Sequence, residues 1–216
     1  MKTIVINASP RKNWNTALML KEAQKGAESA GAETEYIDLY DLDFTGCRSC
    51  LACKRKGAER CRCYWPDDFS PVIAKILAAD CLIIGTPIYF NEPTAGFRAL
   101  LERLCFCVLS YDGGKNYYEG NLKIGIIYTM NCPRDFYESA YRPSLERTEG
   151  TLKRLLSDTV KTTAACETLQ VEDYSKFSMG RFDPEQRRAG RETQFPKDLK
   201  AAYELGAELA RQASAN

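Results

Sequence analysis

Residues 7–16 read Asn7-Ala8-Ser9-Pro10-Arg11-Lys12-Asn13-Trp14-Asn15-Thr16, set between an apolar strand pattern at 3–6 and a helical pattern at 16–29. A strand that passes through such a loop into a helix begins a βαβ unit. The start of the helix offers unpaired backbone N–H groups and the positive end of its dipole, and Ser9, Asn15 and Thr16 add side-chain donors, so the loop suits an anion. It contains neither G-x-x-x-x-G-K-[ST] nor G-x-G-x-x-G, which removes the usual loops for a magnesium triphosphate or a dinucleotide pyrophosphate. A single terminal phosphate is the guest it predicts.

Outward from this loop, short apolar runs at 35–39, 81–85, 124–128 and 162–169 read as further strands. Helical periodicity occupies 16–29, 69–78, 94–106, 141–157 and 197–212. Alternating strands and helices predict parallel strands joined by right-handed crossovers. The expected fold class is α/β, a flavodoxin-like three-layer sandwich with a five-stranded parallel sheet of order 2-1-3-4-5 and ligands at the carboxyl ends of strands 1 and 3. One domain is expected over 1–216, with a cysteine-rich insertion at about 44–66 and a long extension at about 171–196. The connections 41–68, 109–121 and 171–196 are long enough to act as lids or subunit contacts. The last carries Tyr174, Phe177, Phe182 and Phe195 among many Arg and Glu residues, so it is expected to pack across another surface, such as that of a partner subunit.

Composition narrows the function. With 44% hydrophobic residues in 216, the chain supports a sizeable core. Thirty basic residues against twenty-nine acidic ones leave a formal charge of +1, so no global field draws in nucleic acid or a membrane. No apolar run approaches the ~18 residues that span a bilayer, and Met-Lys-Thr leads straight into the first strand pattern, so a soluble cytoplasmic protein is expected. The absence of histidine removes imidazole bases, His-assisted nucleophiles and His-bearing zinc sites. Ten cysteines in such a chain point to thiols, metal or redox use rather than a disulfide framework.

The run Gly85-Thr86-Pro87-Ile88-Tyr89-Phe90-Asn91-Glu92-Pro93-Thr94 leaves strand 3 at the same sheet edge as the phosphate loop. Pro87 fixes its own φ and extends Thr86, while Tyr89 supplies a surface for a flat aromatic ligand and Pro93-Thr94 caps the next helix. With both loops in view, the chain resembles the flavodoxin-like NAD(P)H-dependent FMN reductase family, including its iron-sulfur flavoprotein branch. The resemblance rests on Ser9 to Thr16, the cysteine run from Gly46 to Lys54, the Asp67-Asp68 pair, Gly85 to Phe90, and the Phe195-Pro196 entry to the last helix. It implies that Ser9, Arg11, Asn15 and Thr16 hold the FMN phosphate, that Pro87, Ile88, Tyr89, Phe90 and Asn91 line the ribityl and isoalloxazine, and that Thr129, Met130 and Asn131 touch the flavin edge. Backbone N–H groups or Arg134 are candidates for the charge on the reduced N1–C2=O edge. The chain departs from the family pattern at Ala8 and Trp14, where related loops often carry Gly, and at Met130-Asn131-Cys132-Pro133, where they carry a small-residue turn. Since flavin-borne hydride chemistry needs no imidazole, no protein residue is assigned a catalytic role.

The second signal is Cys47-x2-Cys50-x2-Cys53-x7-Cys61, followed by Cys63. Four thiolates this close suit a [4Fe–4S] cluster or a tetrahedral zinc ion, and free thiols or a labile disulfide are the remaining reading. The spacing resembles the cluster motif of the iron-sulfur flavoproteins, with Cys63 competing for the fourth place. The adjacent Lys54-Arg55-Lys56 run would lower thiolate pKa values, recognise the 2′-phosphate of NADPH, or simply face solvent. Cys81, Cys105, Cys107 and Cys166 read as packing residues, and Asp67-Asp68 as a helix cap.

Three functions follow as expectations. The first is an enzyme whose FMN takes hydride from NAD(P)H and reduces a flavin, quinone or other small acceptor. The second is an iron-sulfur flavoprotein that carries electrons between FMN, a [4Fe–4S] cluster and a ferredoxin-like partner; the third is a thiol-based redox sensor. The resemblance also implies a homodimer or homotetramer.

Overall fold

The computed structural model describes residues 1–113 and 116–215, so Gly114 and Lys115 of the 109–121 connection lie outside the described residues. The strands are β1 (Lys2–Asn7), β2 (Glu33–Asp38), β3 (Cys81–Tyr89), β4 (Glu92–Pro93), β5 (Lys123–Thr129) and β6 (Val160–Ala165). Five of them form a parallel sheet of order β2-β1-β3-β5-β6, and the two-residue β4 folds back antiparallel on β3. Leaving out that added hairpin strand, this is the expected 2-1-3-4-5 order.

Helices cover both faces, as a parallel sheet requires. On one face α1 (Asn15–Ser29) and α7 (Phe195–Ser214) pack around Val5, Ile83, Ile127 and Leu205. On the other, α2 (Phe69–Leu77), α3 (Ala95–Val108) and α5 (Arg142–Leu156) enclose Ile4, Ile6, Leu82, Ile124 and Ile126. Each fully buried Ile or Leu contributes roughly 1.5–3 kcal/mol through removal of apolar surface from water. Where α1 crosses α7 there is no room for a side chain. A Cβ on Gly26 would lie 2.0 Å from the Tyr203 carbonyl oxygen, and one on Gly206 would lie 1.9 Å from that of Ala23.

Several boundaries differ from the sequence reading. Strand β3 continues through Pro87 to Tyr89 because β1 ends opposite Gly85, so the N–H that proline lacks is not needed on that side. The last strand ends at Ala165 instead of 169, since Glu167 has a φ of 51° and turns the chain off the sheet. A short α4 (Arg134–Phe136) and a π turn over Tyr137–Tyr141 precede α5. The extension contains α6 (Pro184–Thr193), which the sequence reading missed although Asp183-Pro184 marked its start: Asp183 Oδ1 accepts from Glu185 N and Gln186 N. Within the chain the extension packs as expected across another surface: Tyr174 and Phe195 are buried, and Arg191 donates to Asn15 of the phosphate loop.

Candidate functional site

The carboxyl ends of β1, β3 and β5 open onto a cleft of about 190 Å³. Ten of the twelve residues singled out from the sequence line it. Ser9, Arg11, Asn15 and Thr16 come from the β1–α1 loop. Pro87, Ile88 and Tyr89 come from the end of β3, and Thr129, Met130 and Asn131 from the end of β5. Register brings them together: Asn7 pairs with Gly85, and Pro87 with Thr129, so three chain segments leave the sheet at one level.

Phe90 and Asn91 are not among the lining residues. They form the tip of the β3–β4 hairpin, with φ of 49° and 74°, and Phe90 is 100% exposed. Positive φ at both central residues suits a two-residue hairpin, which Asn tolerates and Phe adopts only under strain.

Helix α1 begins without a side-chain cap, since Trp14 occupies the N-cap position and has no acceptor to offer. Its first-turn N–H groups have no partner within the helix and face the same loop that carries Ser9 and Thr16. Ser9 Oγ accepts from Arg11 N at 3.1 Å, which leaves its hydroxyl proton available to an anion. Thr16 Oγ1 lies 2.7 Å from Thr129 Oγ1, a bond that ties the loop to the end of β5. The remaining two side chains in the expected phosphate set are already engaged. Asn15 donates to Leu169 O at 2.8 Å and accepts from Arg191 at 2.8 Å, while Arg11 donates to Gln170 O at 2.5 Å. Trp14 adds a bond from Nε1 to Leu169 O at 3.0 Å, so this indole fastens the extension to the loop.

Asn131 stands out at the other end of the cleft. Neither its Nδ2 nor its Oδ1 has a hydrogen-bond partner among the described residues, although both atoms are buried. Such orphaned groups are costly without a ligand or water to meet them. Thr168, Gln170 and Met179 also line the cleft and were missed, because their segment read as strand end and extension. Arg134, the candidate for the flavin N1 edge, turns away: it donates to Ala164 O at 2.6 Å and lines a different cavity.

The cysteine loop lies on the opposite flank, beside α3. Cys47, Cys50, Cys53 and Cys63 line one small cavity of about 20 Å³. Cys61, the expected fourth member, is absent from that lining, and the charges that bear on it are those of Lys54 and Glu119. Among the described residues, no group of three or more His, Cys, Asp or Glu side chains is placed to hold a metal ion. Ser49, Leu51 and Cys61 all have φ between 52° and 59°, so strain is concentrated in this loop.

Arg103, 2% exposed, anchors it. Its Nε donates to Cys63 Sγ at 3.2 Å, while its two terminal nitrogens reach Asp67, Thr45 O and Ser70 Oγ. Those contacts use all five guanidinium donors. Asp67 also accepts from Phe69 N and Ser70 N, so the expected helix cap is present and doubles as the partner of a buried arginine. Burial works against the Asp67 carboxylate, yet the Arg103 pair and the backbone donors hold its pKa below the usual value. Burial raises the thiol pKa values of Cys53 and Cys61 despite Lys54. Lys54 is occupied elsewhere, donating to the Phe106 and Leu109 carbonyls. Burial likewise raises Cys81 and Cys105 to about 11 and Cys166 to about 12, as packing thiols would show.

Known proteins place these features in context. An iron-sulfur flavoprotein of Methanocaldococcus jannaschii is 37% identical over 103 residues, 48% of this chain and 51% of the relative. One from Archaeoglobus fulgidus is 35% identical over 103 residues, 48% of each chain. The matches thus span about half the length of these relatives. Among solved structures, an NAD(P)H:quinone oxidoreductase from Methanothermobacter marburgensis superposes with a TM-score of 0.72 at 15% identity, over 97% of this chain and 98% of that one. A structure described as a flavodoxin from the domain Archaea gives 0.52 at 12% identity over 99% of each chain; at such identities the likeness concerns the fold alone. The sequence profile described as NADPH-dependent FMN reductase matches residues 1–127, more than half the chain. By that match, the chain belongs to the NADPH-dependent FMN reductase family.

Proposed function

We propose that the protein is an FMN-dependent oxidoreductase that takes hydride from NAD(P)H and passes electrons to a flavin, quinone or other small acceptor. The observation that carries this reading is the cleft in a member of this family, with an uncapped helix start at one end and an unpartnered Asn131 amide at the other. The residues fit the group. Ser9, Thr16 and the first turn of α1 would hold the phosphate, Pro87 and Tyr89 would flank the ring, and Asn131 offers both a donor and an acceptor to a pyrimidine edge. When bound, FMN supplies a ring that accepts hydride and releases electrons. The chain's task is to orient the donor and exclude water, for which Met130, Ile88 and Met179 provide apolar walls. Acid release of the bound cofactor followed by mass measurement is the direct test: FMN is expected, and FAD or an inability to bind FMN overturns the reading.

A second reading, electron transfer through a [4Fe–4S] cluster to a ferredoxin-like partner, is supported by the four thiols lining one cavity and by the names of the relatives. The donor chemistry fits, and Cys63 is favoured over Cys61 by its place beside the other three thiols. Anaerobic reconstitution with iron and sulfide is expected to fill wild type and Cys61→Ser and to fail in Cys63→Ser. Loss in Cys61→Ser alone reverses the ligand choice; no cluster in any form removes this reading. The raised pKa values of Cys53 and Cys61 weigh against a thiolate sensor. The fully exposed Phe90 beside the half-exposed Tyr89 supports a subunit packed over the hairpin, and light scattering of Phe90→Ser tests it. No helix among the described residues is long and apolar enough to cross a membrane.

A further inference from the structure

Behind the cleft, a second cavity of about 440 Å³ lies between the turn after β6 and helices α6 and α7. The two spaces share Thr168 as a common wall. Three guanidiniums line the second one, those of Arg134, Arg187 and Arg191, together with the amides of Gln186 and Gln194. Arg187 is only 7% exposed, yet its Nε and Nη1 have no hydrogen-bond partner among the described residues. Glu167 comes within 3.5 Å of Nη1, an ion-pair separation rather than a hydrogen bond, and Nη2 donates to Asn131 O at 3.3 Å. A buried guanidinium with unused donors is costly to keep, so the arrangement calls for an acceptor that the described residues do not supply.

We propose that this cavity is a second ligand site, taking a phosphate-bearing small molecule whose phosphate is received by Arg187 with Arg134 and Arg191 alongside. The charge balance favours phosphate over a single carboxylate. Arg134 has the exposed Glu138 at 3.7 Å. Among the cavity's lining residues, however, the three arginines face Glu167 and Asp198, and burial pushes the Asp198 carboxyl toward its neutral form against the bond from Gln194 Nε2. Among the described residues Arg191 has no acidic partner to offset its burial; it stacks 4.1 Å from the Phe195 ring and donates to Asn15. Guanidiniums are well matched to phosphate oxygens, whereas the cleft on the other side of Thr168 offers a helix start. The inference does not rest on the FMN reading of that cleft.

Titration of the full chain with inorganic phosphate, followed by calorimetry, tests the site with two variants that separate the cavities. Arg187→Met is expected to weaken phosphate in this cavity at least tenfold and to leave any phosphate at the start of α1 in place, while Thr16→Val, in the cleft, weakens only the latter. Binding retained in Arg187→Met but lost in Thr16→Val places the phosphate at α1 and overturns the proposal. Arg187→Met also breaks the ion pair with Glu167 and the bond to Asn131 O, so its melting temperature without phosphate is measured alongside. Should that variant fold poorly, Arg134→Met, at a half-exposed position, is expected to weaken phosphate at least threefold, and unchanged affinity there counts against the site. Succinate binding as tightly as phosphate overturns the choice of ligand. Adenosine 2′-phosphate separates the sources: tighter binding assigns a nucleotide phosphate, and equal binding assigns the phosphate group alone.

Discussion

The cleft and the cysteine loop are built in opposite ways. The cleft is assembled by three strand ends held in register, so ten of its expected residues meet without any irregular backbone beyond the hairpin tip. The cysteine loop has no such frame; three strained non-glycine residues and one buried arginine shape it. Rigid elements place side chains before a ligand arrives, whereas a loop depends on a few anchors. The comparison predicts that the loop fails through a single pair and the cleft through its scaffold.

The largest effect belongs to the loop's anchor. Removing Asp67 leaves Arg103 buried without its carboxylate, and breaking such a pair costs about 3–5 kcal/mol. Urea unfolding of Asp67→Ala should show that loss; a change under 1 kcal/mol would mean that the loop does not need the pair. The same carboxylate gives a pH signature. Its folded pKa is depressed, so its contribution is fully present above the unfolded value and is lost as pH falls through the folded one. Wild type should therefore lose stability below about pH 4, and Asp67→Asn should lose less over that window.

Next comes the scaffold beneath the cleft. Gly206→Ala forces a methyl group against the Ala23 carbonyl, and overpacking of this kind costs about 1–3 kcal/mol. Thermal melts of Gly206→Ala against Gly150→Ala test the point, because a Cβ at Gly150 meets nothing within 4 Å. Equal melting temperatures would sink the claim that α1 and α7 cross too closely to admit a side chain.

Legibility in the sequence follows the same divide. The alternation of apolar runs with helical periodicity predicted the sheet order, because a buried parallel strand must be apolar on both faces. The ten expected cleft residues were readable because they sit at or just past the strand ends, whereas Thr168, Gln170 and Met179 come from the irregular chain beyond β6. The hairpin that puts Phe90 and Asn91 at its tip, outside the cleft lining, was not readable because the two-residue β4 is too short to leave a periodic trace. Helix α6 was hidden by its charge: Pro184–Thr193 has Ala189 as its only aliphatic side chain and buries only Arg187. The sequence left Cys61 and Cys63 in competition because spacing along an irregular loop does not determine which thiols meet; the cavity lining includes Cys63 and not Cys61. Arg103, within an ordinary amphipathic helix, gave no sign that it would bind Asp67 and Cys63 at once.

The smallest expected effect joins the cleft to its frame. Thr94 Oγ1 accepts from Phe97 N at 3.3 Å, which caps α3, and donates to Ala8 O at 2.7 Å, which holds the β1–α1 loop from behind. Its backbone N–H in turn donates to Thr86 Oγ1 at 3.2 Å, so one hydroxyl pair links β3, α3 and the loop. Thr94→Ala removes the cap at a cost of about 1 kcal/mol, while Thr94→Ser keeps the hydroxyl and should restore most of it. If the bond to Ala8 O also positions the loop, Thr94→Ala should weaken FMN by several-fold beyond its effect on stability, and Thr94→Ser should not. A stability loss with FMN affinity unchanged would leave Thr94 a helix cap and nothing more, and would show that the strand register alone places the cleft.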